Sequence, residues 1–268
     1  PLDPQLLCLG YANSQKKTVD QMKRRYGVII FCSFLLSPFS IVLADDHLSS
    51  KQEEELSSEP LSCQAAVDFG YKLSLVNGHL WAASELVSQN QFELAKRHSK
   101  HPSEEIYTEL LPYFKAIESR GFSEELSRLS NLFDTNNTVN FPAAYSATKQ
   151  RIDRHFDELP LTDDGKRVIV FKLLSQALVE FEVGVLDGVV TDLQEYQDAR
   201  GFAEIAGEIA SDLGPIARGI ERAKTLWIGL VPQTDQKIEE PIILQRILGR
   251  MKSVLDDESR KTLCVELG

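Results

Sequence analysis

Cysteine is scarce in this chain: four in 268 residues, at Cys8, Cys32, Cys63 and Cys264. None sits in a CxxC pair, which excludes a multi-thiolate metal site and a dithiol redox motif. Basic charge is also short, with 29 Lys and Arg against 40 Asp and Glu and a net charge of −11. A nucleic-acid binder needs a basic face to neutralise phosphates, so nucleic acid is excluded as a partner. HExxH, GxSxG, P-loop and GxGxxG motifs are all missing, and nothing pairs the plentiful carboxylates into an acid and a base. The chain reads as a non-enzyme. Alternation of apolar and polar residues at period two is nearly absent, which leaves little room for sheet.

Long apolar runs are equally rare, and the one candidate lies near the start. The first methionine is Met22, and Met22-Lys23-Arg24-Arg25 supplies the charged region of a secretory leader. Val28 to Leu43 is its apolar run, and Val42-Leu43-Ala44 offers small residues before Asp45. Ser33, Ser37 and Pro38 interrupt the run, which falls short of the ~20 residues of a stable membrane span. Cys32 has no lipidation motif around it. The expected organisation is therefore an upstream extension at 1–21, a cleaved signal peptide at 22–44 and export to the periplasm. No membrane insertion is expected after cleavage. Residues 45–60, DDHLSSKQEEELSSEP, are acidic, Ser-rich and nearly without apolar side chains. They read as a flexible tail. His47 in this tail reads as a bystander. Residues 61–268 read as one helical domain.

Export leaves Cys63 and Cys264 as the pair that remains, and an oxidising compartment favours a disulfide between them. Two unpaired thiols are the alternative.

Helical periodicity dominates from Leu61 onward. The predicted helices cover 63–88, a short stretch around Phe92, Leu94 and Ala95, and a helix from Pro102 to about Ser119, with proline at the first position. Others follow at 123–133, 141–157 and 164–189. The next begins near Asp192, where Glu195 three residues on suggests a capping box. Gly214-Pro215 breaks the chain, helix resumes to about Trp227, and a final helix covers about 240–257. The fold class is all-α, a multi-helix bundle of about seven to nine helices, with one tetratricopeptide-like hairpin that is not repeated.

Chemistry concentrates between Gly78 and Tyr107, which hold His79, His98 and His101. His98 and His101 are three apart and Glu105 is four beyond His101. At such spacing imidazoles and a carboxylate can share one face and one divalent ion, although Pro102 predicts a corner between them. His79 falls on the apolar face of its helix, directed into the domain. Glu180 interrupts the most apolar helix and needs a partner or a cation, because an unpaired carboxylate is costly to bury. Glu195 and Asp198 share one side of the following helix. Histidines from one hairpin and carboxylates from two later helices would together suit a transition metal ion, iron or copper. A plainer account stays open: a core histidine at His79, solvated histidines at 98 and 101, and carboxylates that cap helices or pair with neighbours. In that case the chain is a helical interaction module of the cell envelope.

Four segments occur together: Gly78-His79-Leu80, the HxxHPxxExY run from His98 to Tyr107, Glu180-Phe181-Glu182, and EYQDARGF from Glu195 to Phe202. In these the chain resembles a family of secreted all-helical proteobacterial proteins, over about 69–215. That family is associated with iron-uptake loci, so the resemblance implies a periplasmic metal-related role beside an envelope or inner-membrane transport protein. A more distant likeness is to imelysin-like helical proteins, whose metal motif is GxHxxE. Here Gly78 directly precedes His79, and Ala82 stands where that motif has glutamate.

Overall fold

The computed structural model describes residues 61–256 and 262–265, all within one compact unit, Glu55–Gly268. The leader, the tail and His47 lie outside the described residues. The protein is an all-α bundle, and its strand content among the described residues is one two-residue hairpin and an isolated bridge.

Helix α1 (Cys63–Ser88) is the central rod. Ser62 caps it by accepting from the Ala65 amide at 3.3 Å. Apolar or small residues run along both sides, so neighbours cover it nearly all round, as expected of a helix buried in a core. Asn90, at φ 60°, turns the chain into α2 (Phe92–His101). Then α3 (Tyr107–Ala116) and α5 (Phe141–Asp157) pack on one flank of α1, and α4 (Ser123–Asp134) packs against α2 and α5. Together with α1 these helices enclose a core of Phe69, Leu80, Leu110, Phe122, Leu126 and Phe141. Helices α6 (Asp163–Gly184), α7 (Leu193–Ile209), α8 (Pro215–Ala223) and α9 (Ile242–Leu255) form the other half. Their core includes Leu173, Phe181, Tyr196, Ile205 and Trp227. Because α1 contributes to both cores, the junction of the halves runs along it.

Two sequence expectations are corrected here. The helix expected over 164–189 ends at Gly184, and Val185–Leu186 pairs antiparallel with Val189–Val190. Asp187 and Gly188 adopt φ 53° and 75°, so the Asp-Gly turn has positive φ at both central residues. That turn matches the twist of a two-stranded ribbon, and the flanking Val and Leu suit strands. Leu186, inside the stretch expected to be helical, is exposed on the hairpin. The second correction concerns Pro102. It starts no new helix and makes no corner. The chain passes from α2 through a π-helical turn, Pro102–Ile106, directly into α3. A wider π turn accommodates a proline whose ring would clash with the carbonyl four residues back.

The chain's end is tied to both halves. Cys63 and Cys264 form a disulfide, with Cα atoms 5.7 Å apart. Cys264 bridges Leu161, and the Thr162 amide donates to the Leu263 carbonyl at 3.0 Å.

Candidate metal centre

Asp198 is the centre of the site. Its position follows from a close helix crossing: Gly78 on α1 faces Gly201 on α7, and a Cβ on Gly201 would collide with the Gly78 carbonyl. Two missing side chains bring the backbones together, which sets His79 and Asp198 face to face. His79 Nδ1 lies 2.5 Å from Asp198 Oδ1, and the Phe202 ring packs edge-on against the imidazole. From α2, His98 Nδ1 approaches the same Oδ1 at 2.9 Å. His101 lies one turn further on, with Nδ1 3.9 Å from Asp198 Oδ2. Three Nδ1 atoms from two helices therefore turn towards one carboxylate on a third.

Burial gives these contacts weight. Asp198 and His98 are each 1% exposed and His79 is 6% exposed. Burial alone would push the Asp198 carboxyl up, but the adjacent His79 and His98 imidazoles hold it well below the usual carboxylate range. His79, His98 and Asp198 place one donor atom each within 4.8 Å of one another.

Outer contacts fix the imidazoles. Glu105 Oε1 accepts from His101 Nε2 at 2.9 Å, across the π turn, so the spacing of four survives Pro102. The Gln194 amide nitrogen also lies 3.2 Å from that Nε2. With Nε2 engaged, His101 Nδ1 is a buried nitrogen with no hydrogen-bond partner, turned towards Asp198. A buried donor or acceptor left unmatched is uncommon and calls for a ligand or a proton.

Glu180 and Glu195 lie together on α6 and α7, sharing a hydrogen bond. Gln176 donates to Glu180 as well. Burial raises both carboxyls first; Asp198 adds to each, Glu105 adds to Glu180, and the mutual repulsion adds to Glu195. The pair therefore keeps a proton more readily than ordinary carboxyls do. The expected capping box at Asp192 is only half made. Asp192 accepts from the Gln194 and Glu195 amides, while the Glu195 side chain reaches Glu180 instead of returning to the cap.

Thus His79, His98, His101 and Asp198 are brought into one cluster. Glu105 supports it from behind His101, and Glu180 and Glu195 lie near enough for their charges to be felt. Arg200 takes no part: it pairs with Glu204 and lies over the Trp81 and Trp227 rings. Sequence reasoning missed Gln197, whose side-chain oxygen lies 2.7 Å from His98 Nε2. Its position beside Asp198 in EYQDARGF was the available signal.

The model of the iron permease-associated 4-helix bundle domain matches residues 166–257. The stretch runs from the first turn of α6 past the end of α9, the four-helix half of the fold, and covers less than half of the chain. No curated protein and no solved structure matches. By its description, the matched domain is one associated with iron permeases. It contains Glu180, Glu195, Gln197 and Asp198, while His79, His98, His101 and Glu105 come from the helices before it. Among the described residues no helix is long and apolar enough to cross a membrane.

Proposed function

We propose that the protein is a periplasmic metal-binding protein accessory to transition-metal handling, with iron ahead of copper as its cargo. The observation that carries this reading is the convergence of three imidazole Nδ1 atoms on the buried Asp198 carboxylate. Imidazole nitrogen and carboxylate oxygen form a donor set suited to iron, copper and zinc. The unpartnered Nδ1 of His101 fits such an ion, which would satisfy it. His79, His98, His101 and Asp198 would hold the ion, and Glu105, Glu180 and Glu195 would supply further oxygens or orient the histidines. The four-helix match supports iron as the cargo and an iron permease of the cell envelope as the partner. The leader-like segment from Met22 to Ala44 and the disulfide support export to an oxidising compartment.

Metal analysis and melting of the purified protein with iron, copper and zinc test the proposal. A stoichiometric ion that raises the melting temperature, and is lost in both Asp198→Asn and His98→Ala/His101→Ala, is the expected result. At 100 times the dissociation constant, such an ion would stabilise the fold by about 2.7 kcal/mol. Failure to bind any of the three at micromolar concentration would sink the metal reading and leave an envelope docking module.

A further inference from the structure

Gln197 is fully buried on α7, next to Asp198, and both ends of its amide are committed. Its nitrogen donates to the Leu230 carbonyl at 2.9 Å. A backbone carbonyl only accepts, so the amide cannot turn over without placing two oxygens against each other. Its oxygen is thereby fixed 2.7 Å from His98 Nε2, where it can only accept. His98 therefore keeps a proton on Nε2, and Nδ1, 2.9 Å from Asp198 Oδ1, is the nitrogen whose proton the carboxylate accepts and a bound ion would displace.

We infer that Gln197 is the positioning residue that selects Nδ1 of His98 as the metal-donor atom. The metal half of this inference rests on the reading above; the tautomer half does not. The principle is that a ligating histidine donates its remote N–H to a fixed acceptor, which sets the ring's orientation and its bare nitrogen. Glu105 faces His101 Nε2 in the same sense, but its side chain is 61% exposed and water competes for it. Gln197 has no such competitor. Its anchor, Leu230, lies in the irregular segment between α8 and α9, so the imidazole's orientation depends on that segment as well.

The test uses nitrogen-15 histidine spectra of the full chain, metal-free and with zinc as a diamagnetic probe, for wild type, Gln197→Met and Gln197→Glu. In wild type, His98 should carry hydrogen on Nε2 in both states, and zinc should shift Nδ1. Gln197→Met should lose the fixed Nε2–H signature without metal and bind zinc about 10- to 100-fold more weakly. Gln197→Glu keeps the acceptor for Nε2 and, with its second oxygen protonated and donating to the Leu230 carbonyl, should restore the Nε2–H signature, which a merely space-filling role would not require. If Gln197→Met fails to fold, the wild-type and Gln197→Glu spectra still decide. A bare or metal-bound Nε2 on His98 in wild type overturns the inference. Wild type that binds no zinc but shows the fixed Nε2–H overturns the metal reading and leaves Gln197 as the tautomer-setting group.

Discussion

Buried polar side chains divide this protein into groups that are matched and groups that are not, and His155 belongs with the second. It sits at 8% exposure among Phe69, Phe114 and Phe122, with Nδ1 unpartnered and Nε2 3.4 Å from Ser119 Oγ. Among the described residues no carboxylate forms an ion pair or hydrogen bond with it. Burial lowers its pKa below 6.5, Glu158 opposes, and Arg151 and Arg154 add to the lowering. The unfolded chain then binds a proton before the folded one does. Stability from this residue is complete above the unfolded value of 6.5 and declines as pH falls from there towards the lower folded value. His155→Phe removes the proton site while keeping a ring. Between pH 7.5 and 5.5 the wild type should lose more of its urea midpoint than the variant. Equal losses would show that His155 is as easily protonated in the fold as in the unfolded chain.

At the scale of elements, the α1–α7 crossing carries the candidate site. A methyl on Gly201 must push the Gly78 carbonyl away, which means moving one helix relative to the other. Overpacking of this kind costs about 1–3 kcal/mol. Gly201→Ala should lower the melting temperature accordingly, and because His79 is next to Gly78, metal affinity should fall with it. A stability loss with unchanged affinity would mean that His79 contributes nothing to holding the ion. Much of the element layout was legible. Helices 63–88 and 141–157 occur where the sequence predicts them, because Gln89-Asn90 and Pro160 punctuate them as turn residues do. The hairpin after Gly184 was not legible, because Val185, Leu186, Val189 and Val190 continue an apolar helical run and mask the Asp-Gly turn between them. The π turn was hidden behind the ordinary reading of Pro102 as a break. For the site, histidine and carboxylate advertise their chemistry, so His79, His98, His101 and Asp198 could be picked out beforehand. Gln197 carried no signal but its place beside Asp198, since an amide acquires its role only from what lies on either side of it.

For the molecule as a whole, the imidazoles come from the first half and Asp198 from the half that matches the iron permease-associated bundle, so the site needs both halves in register. The Cys63–Cys264 disulfide joins the start of α1 to a segment beyond α9. This segment also lies over the start of α6: Leu263 accepts from the Thr162 amide, and Gly165 leaves room for the Leu263 carbonyl where a Cβ would collide. The cross-link spans 201 residues, and in the chain-entropy model closing so long a loop stabilises by about 5 kcal/mol. His79 lies 16 positions along α1 from Cys63, roughly 24 Å at the rise of an α-helix, so the bond cannot act on the ligands directly. Cys63→Ser/Cys264→Ser should therefore lower stability by several kcal/mol and raise hydrogen exchange at the Thr162 and Gly165 amides. Metal affinity, measured well below the melting temperature, should stay within a few-fold of wild type. Loss of affinity at temperatures where the variant remains folded would show that the two halves are aligned by the cross-link and not by the glycine crossing. Unchanged stability would mean that the bond does not form, and would remove a main support for the proposed export to an oxidising compartment.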